Sequence, residues 1–510
     1  MFLSYEVLTA TVFDKVLIAN RGEIAVRVIH ACREIGVSTV AVYSEADEDA
    51  PFTRLADEAV PIGGMSPADS YLDQQAIIDA AEDTGAEAIH PGYGFLSENP
   101  TFSRDVTDAG LTFVGPSADA MEAIGDKVQA RETAQEVGVP TSPGSEGGVA
   151  DPKEAEKIAR EIGFPVLFKA AAGGGGMGMR RVDDPDELRP AFEEASQQAE
   201  SAFGDGRLFV EKFHERPRHI EIQLVGTEDG AIHFGERECS IQRRYQKLVE
   251  EAPSPAVDAE LREEMGQAAC RLADQVGYQN AGTAEFLLTE EGFYFNEVNA
   301  RLQVEHTVTE MVTGIDLVKT QLRVAAGDDP EVSQDEVGFR GHSLELRINA
   351  EDPLRDFAPN PGTLSAYEEP EAPFVRVDSG IEAGGAIRQE YDSLIAKLIT
   401  WGRDREESRA RALNALRGFE VDGVPTTIPF HVAVLQEENF VNGNLTTNYL
   451  DEVPVLDEVQ GKADDEQRRR GARVAAIAAA LEQTGGLYAV AQQRPLEGAE
   501  PATWTQEGHR

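Results

Sequence analysis

The chain has 510 residues, room for three domains at ~150 residues each, and 41% of it is apolar, enough to build cores. Acidic residues number 92 against 46 basic ones, a formal charge of -46, which excludes non-specific binding to a nucleic-acid backbone. No run of eighteen apolar residues and no signal-peptide pattern occurs, so neither a spanning helix nor a secretory leader is expected.

The first eleven residues, MFLSYEVLTAT, read as a mildly apolar extension. DKVLIAN (14–20) is a short buried strand, followed by a glycine turn, the amphipathic helix GEIAVRVIHACREIG and a second strand, STVAVYS. EAIHPG and LTFVGP come later, each after a helical segment, so residues 12–125 predict a parallel α/β domain. No GxGxxG follows the first strand, which argues against a Rossmann dinucleotide site. From Asp126 the pattern becomes the helix DKVQARETAQEVG, the loop VPTSPGSEGG and a compact unit over about 152–205. That unit holds the strand FPVLFKAA, a glycine-rich loop and the strand MRRV. RLFVEKF then reads as a connector, ahead of two long strand pairs and the helix ELREEMGQAACRLADQVG. A third block opens at 341 with GHSLELRINAEDP and runs to about 453; beyond it lie an acidic linker and an alanine-rich helix near Arg468–Arg470. No internal repeat is evident.

The stretch TAEFLLTEEGFYFNEVNARLQVEH (283–306) is the most informative. A strand carrying Glu285 turns at Glu290-Glu291-Gly292 and returns as a strand ending Glu297-Val298-Asn299. Two carboxylates from adjacent strands, with the Asn299 amide beside them, are hard oxygen donors suited to Mg²⁺ or Mn²⁺. Downstream, Arg301, Gln303 and Glu305 alternate with Leu302 and Val304, and an extended run would aim all three polar groups toward the metal. A hairpin with a solvated acidic face is the other reading of these residues.

The glycine loop, from Lys169 through Gly173, Gly174, Gly175, Gly176 and Gly178, lets backbone N–H groups approach phosphate closely. It lacks P-loop spacing, and a flexible turn explains it equally. Glu211-Lys212 ends the connector strand, where the main chain can read an adenine edge or the side chains can form a surface ion pair. His219, as a lone imidazole, is structural by default. Arg243, Arg244 and Lys247 concentrate positive charge in an anionic chain, suggesting an anion pocket, with a salt-bridged surface loop as the alternative. Arg347 is a fixed cation able to complement an oxyanion. The acids are interleaved with apolar segments rather than gathered in blocks, which reads as a folded protein adapted to high salt. Lysines are scarce, ten of the 46 basic residues. Cys32, Cys239 and Cys270 form no CxxC and suit a reducing, cytoplasmic setting.

Together, DKVLIANRGEIAVRVIHAC, HPGYGFLSEN, FVGP, the glycine loop, RHIEIQ, ECSIQRRYQK, FNEVNARLQVEHTVTEM and LELRINAEDP resemble the biotin carboxylase family, an ATP-grasp fold, over about residues 12–450. The resemblance implies an α/β and α+β multidomain protein. Its parts would be an N-terminal parallel α/β domain (12–125), a central ATP-grasp domain (126–340) with a small lid at about 145–212, and a C-terminal α+β domain (341–453), with 454–510 a linker and helical tail. It implies ATP-dependent carboxylation of biotin by bicarbonate through carboxyphosphate, the first half-reaction of an acetyl-CoA or propionyl-CoA carboxylase. By resemblance, Lys127, Lys169, His219 and Gln242 contact ATP, Glu211 and Lys212 border adenine, and Gly173 to Gly176 cover the phosphates. Glu285, Glu297 and Asn299 surround two Mg²⁺ or Mn²⁺ ions. Lys247, Arg301, Gln303 and the Val304 backbone hold bicarbonate, Glu305 is the base, and Tyr93 and Arg347 meet biotin, Arg347 stabilising its enolate.

The chain departs from the family pattern at Ala171, Met177, His214 and Tyr245, which bears on nucleotide affinity and lid behaviour. No biotinyl lysine in an AMKM-like hairpin is present, so biotin is expected on a separate carrier protein, with the chain forming a homodimer and working with a carboxyltransferase subunit. The alternatives are the ATP-using subunit of a two-subunit pyruvate carboxylase, a catalytically idle nucleotide-binding scaffold, and an ATP-grasp ligase acting on an amino acid or purine intermediate.

Overall fold

The structure, a computed structural model, describes residues 12–171 and 179–461. Residues up to Val455 form one compact unit, and a second begins at Leu456, of which the described part, to Gly461, is helical. The expected tail helix near Arg468–Arg470, Lys462, and Gly173 to Gly176 with Met177 lie outside the described residues.

The N-terminal segment is a five-stranded parallel sheet in the order Glu58–Gly63, Ser38–Ser44, Lys15–Ile18, Ala88–His90, Thr112–Phe113. Its strands read as continuous apolar runs because helices cover both faces. Val16, Leu17 and Ile18 are all fully buried, and the helix Gly22–Glu34 presents Ile24, Ala25, Val28, Ile29 and Cys32 to the sheet. At the carboxyl ends of these strands Asn20 donates to the carbonyls of Pro91 and Tyr93 at 2.6 and 2.8 Å, fixing the turn that carries Tyr93. Gly92 sits there at φ +61°, and a Cβ on it would meet the Asn20 side chain at 2.9 Å. The turn therefore needs glycine.

The centre is one eight-stranded antiparallel sheet: Gly292–Asn299, Asn280–Thr289, Arg218–Thr227, Gly230–Arg243, Gln246–Ala252, His342–Asn349, Leu394–Gly402, Val375–Ser379. The third block, expected from 341, joins the central sheet through its first strand, which pairs with Gln246–Ala252. Strand pairing crosses the sequence boundary because both edges needed a partner.

A smaller sheet, Arg180–Val182, Val166–Ala170, Leu208–Lys212, carries the helices Pro152–Ile162 and Leu188–Phe203 over its own core, with Phe168 set edge-on to Phe192 at 5.4 Å. The strand read as a connector, RLFVEKF, is instead a structural strand of this unit, in register with Val166–Ala170.

Two buried histidines make the fold acid-sensitive. His90 Nδ1 accepts the Gly92 N–H at 3.0 Å, and His431 Nε2 donates to the Arg347 carbonyl at 2.8 Å. Burial, with Arg27 also opposing protonation of His90, pulls their pKa values down to about 3 and about 4. Between those values and the ordinary 6.5 the unfolded chain binds protons that the folded chain refuses. Stability present above that window is therefore lost as pH falls through it. The two histidines should contribute a fall in the thermal midpoint between pH 6.5 and 4, and His431→Gln, which keeps an N–H donor, should raise the midpoint at pH 4 relative to pH 6.5 when compared with the parent; an unchanged difference in the variant would assign the pH dependence to other groups.

Candidate active site

Strand alternation places a row of charges side by side on one face of the central sheet. Glu297 faces Glu285, Glu285 faces Glu221, and Glu221 faces Arg237, each in direct register on neighbouring strands. Like charges so placed repel unless cations intervene. Lys247, rising from the strand Gln246–Ala252, supplies the main one: its ammonium contacts Glu221 closely, Glu305 at 2.8 Å and Glu285 at 3.1 Å. Burial opposes its charge, yet the three carboxylates hold its pKa well above the usual lysine range. His219 bridges Glu221 at 3.0 Å and Glu285 at 3.3 Å. Burial pulls its pKa down, but Glu285 and Glu221 outweigh that and lift it to about 10, so the imidazole is charged at neutral pH. Arg237, without exposed surface, anchors the far side through Glu221, Gln223, Thr283 and Thr309.

The expected extended run from Arg301 to Glu305 does not form. After Asn299 the chain leaves the sheet in bends and a turn, and Glu305 sits at the start of the helix His306–Thr313. Its carboxylate turns back into the site, fully buried, with Arg347 at 2.8 Å on the side opposite Lys247. Burial raises the Glu305 pKa, but Lys247, then Arg347 and Arg237, more than offset burial and Glu221, and the group is held below the ordinary carboxylate range. Arg347 is itself fixed by Glu250 at 2.6 Å. Gln303 is buried, and its Nε2 has no protein acceptor among the described residues, a donor open to an anion. Arg301 reaches Glu98 at 3.0 Å and the Asn299 amide oxygen at 3.4 Å. It rims the site rather than stacking with Gln303 and Glu305 along one face.

At the small sheet, Lys169 meets Glu211 at 2.7 Å, and Arg131 holds the same carboxylate at 3.0 Å. Lys127 lies 3.6 Å from Glu297. Lys212 alternates to the opposite face, its ammonium donating to the Gly163 and Phe164 carbonyls. Gln242 donates to the Cys239 carbonyl. Tyr93 lies 5.8 Å below the Lys397 ammonium. Arg243 and Arg244 are not free for an anion: both pair with Asp356, at 2.5 and 2.6 Å, which is the salt-bridged loop alternative. Tyr245 projects from that hairpin tip, 66% exposed. His214 stacks on Tyr294 at 4.7 Å and meets the Ser142 hydroxyl at 3.1 Å, so its departure from the family pattern is absorbed by an aromatic partner at the base of the small sheet.

Glu285 and Glu297 are opposed in register, as expected, but their carboxylates are held by different cations, Lys247 with His219 and Lys127 respectively. Among the described residues the groups that converge as possible ligands are His219, Glu221, Glu285 and Glu221, Cys239, Glu305, neither including Glu297. Asn299 donates its amide N–H to Glu285 at 2.8 Å and turns its oxygen toward Arg301, which leaves the two carboxylates as the hard oxygen donors that suit a divalent ion. Sequence reasoning missed Glu221, Arg237 and Glu250. The alternation His219, Glu221, Gln223 against Ile220, Ile222, Leu224 carried the signal for Glu221, since polar residues on one face of a buried strand require a polar partner.

Three family models cover most of the chain: the biotin carboxylase N-terminal domain at residues 12–121, the carbamoyl-phosphate synthase L chain ATP binding domain at 126–331 and the biotin carboxylase C-terminal domain at 345–452. A pyruvate carboxylase subunit of Methanothermobacter thermautotrophicus is 53% identical over 86% of this chain and 90% of its own. The biotin carboxylase of Nostoc sp. is 52% identical over 86% and 99%. Among solved structures, the biotin carboxylase domain dimer of Hydrogenobacter thermophilus 2-oxoglutarate carboxylase, in complex with MgADP, ADP and bicarbonate, matches with a TM-score of 0.83 at 49% identity, covering 87% of this chain and 98% of that one.

Glu297 is only half-buried and lacks the interior partners of Glu285. Replacing it by Gln should raise the Mg²⁺ concentration needed for nucleotide binding about tenfold or more while leaving the thermal midpoint in place. An unchanged Mg²⁺ requirement would remove Glu297 from the ligand set.

Proposed function

This chain belongs to the biotin carboxylase family and is an ATP-dependent ligase, and we propose that it carboxylates biotin presented on a separate carrier polypeptide, using bicarbonate and passing through carboxyphosphate. The observation that carries this reading is Glu305: a fully buried carboxylate, kept ionised between Lys247 and Arg347, beside the unpartnered Gln303 amide. Bicarbonate is a weak nucleophile until its remaining proton is removed, and a pre-ionised base is what that step requires. In this reading Gln303, Arg301, Lys247 and the Val304 N–H hold the anion, and Glu305 takes its proton.

As bicarbonate takes up the Lys247 ammonium, the neutralisation of Glu305 by Lys247 weakens and its proton affinity rises. Lys127, Lys169 and His219 place cations around the phosphates, Gln242 lines the same side, and the main chain at Glu211-Lys212 meets the base. Magnesium or manganese bound at Glu285, Glu297 and Asn299 supplies charge that offsets the transferring phosphoryl group. Carboxyphosphate then splits into CO₂ and phosphate, and the phosphate takes the N1 proton of biotin. Arg347, steadied by Glu250, stabilises the resulting enolate as its nitrogen bonds to CO₂ with Tyr93 flanking the ring.

A carrier, a second copy of the chain in a homodimer, and a carboxyltransferase subunit follow as partners in the same proposal; the Hydrogenobacter relative crystallised as a dimer. We assign the first half-reaction of an acetyl-CoA or propionyl-CoA carboxylase. The similarity to the 2-oxoglutarate carboxylase small subunit, like that to the pyruvate carboxylase relative, favours a second reading, in which the final acceptor is an oxo acid. The fully ion-paired Glu305 and Arg347 speak against an idle scaffold.

The purified chain, assayed in high salt, should hydrolyse ATP only with bicarbonate and faster with free biotin. Glu305→Gln should lower that rate by about 10²-fold or more with nucleotide affinity preserved. ATP turnover indifferent to bicarbonate, or a variant as fast as the parent, would sink the assignment.

A further inference from the structure

Lys397 lies in the strand Leu394–Gly402, flanked in register by Arg347 on one neighbouring strand and Asp378 on the other. Its side chain has no exposed surface. The ammonium donates to the Val304 carbonyl at 2.9 Å, pairs with Glu23 at 3.2 Å, lies 3.9 Å from Asp378 and sits over the Tyr93 ring at 5.8 Å. Four segments distant in sequence thus meet at one charge: the first turn of the helix Gly22–Glu34, the turn at Tyr93, the bend before Glu305, and the strand Val375–Ser379.

A buried ammonium is costly to keep, and a methionine would fill the same volume without that cost. What methionine would not do is satisfy the Val304 carbonyl. That carbonyl belongs to the peptide joining Val304 to Glu305, so its direction sets the backbone N–H and the placement of the base directly. It constrains the Val304 N–H of the preceding peptide only through the torsions at the Val304 Cα. Deprived of its donor, this partly buried carbonyl turns toward water or another partner, and the peptide rotates with it. Asp378 offsets the ammonium charge, and Glu23, whose carboxyl pKa is lifted by burial to about 8, pairs with it from the N-terminal segment. The placement of the base therefore depends on the N-terminal and central segments being seated together.

We propose that Lys397 is a positioning residue that pins the Val304–Glu305 peptide and the Tyr93 ring at once, holding the bicarbonate-binding backbone and the biotin-facing ring in one mutual geometry. This rests on the functional reading above. Lys397 itself touches no reacting atom, so its loss should act through misplacement, for which shifts of about 1 Å cost on the order of 10²-fold in rate.

The experiment measures kcat and the KM values for bicarbonate and ATP in the full chain, with thermal midpoints, for Lys397→Met and separately for Glu23→Gln. Lys397→Met should raise the KM for bicarbonate about tenfold or more and lower kcat at least as far, with the KM for ATP within about twofold. Glu23→Gln, which leaves the ammonium in place but exchanges the carboxyl that pairs with it for an amide, should shift the same two constants in the same direction by a smaller factor. It carries the test alone if the methionine variant does not fold. A KM for bicarbonate equal to that of the parent in a folded variant, with activity lost only in proportion to unfolded protein, would overturn the proposal. Parent turnover independent of bicarbonate overturns the functional reading itself, and is seen before any variant is made.

Discussion

The structure is organised around one buried cation, the Lys247 ammonium, shared by Glu221, Glu285 and Glu305. Withdrawing charges from water is expensive, and mutual attraction repays it only where every member of the group is partnered. Arg237, His219 and Arg347 complete that partnering from three directions, and each is in turn fixed by hydrogen bonds to the sheet or the helix behind it. Such a cluster tolerates no loose member. It forces the strands that carry it into a single register, since a slip of one residue would send each carboxylate to the opposite face.

This explains why the charges lie at the middle of an eight-stranded sheet rather than at its rim. Only interior strands offer neighbours on both sides, and only such neighbours can line up Glu285, Glu221 and Arg237 in one row. The same requirement accounts for the sheet continuing past residue 340. Arg347 and Lys397 must flank Glu305 and the Val304 carbonyl, and they can do so only if the strands His342–Asn349 and Leu394–Gly402 extend the sheet that holds Lys247. The N-terminal segment adds Glu23, Glu98 and Tyr93 to the same place. Charge neutralisation and domain assembly are thus one physical event.

The interior also divides its carboxylates by function. Glu305 is kept ionised by adjacent cations, whereas burial, eased only partly by Arg347, lifts the neighbouring Glu250 to about 8, and burial, eased by Lys397 and Arg347, lifts Glu345 to about 7. Carboxyl groups on facing strands and at one helix start are thus pushed in opposite directions by their surroundings. Divergent environments of that kind separate a base from the groups that only orient its partners.

Motif and periodicity determined much about this protein. The alternating strands and helices of the first 125 residues, the strand boundaries of STVAVYS, the hairpin bearing Glu285 and Glu297 and the helix from DKVQARETAQEVG were legible because they depend on neighbours close in the chain. Lys247, Glu305 and Arg347 were named together only through the family resemblance, and the folded chain brings their side chains into contact. Tertiary structure alone decided that RLFVEKF is a strand of the small sheet, that residues 301–305 bend instead of extending, that Arg243 and Arg244 are occupied by Asp356, and that Lys397 reaches Val304. The reason is physical: the partners of a buried charge are set by strand order and register across hundreds of residues, and local pattern carries no record of which distant strand will lie alongside.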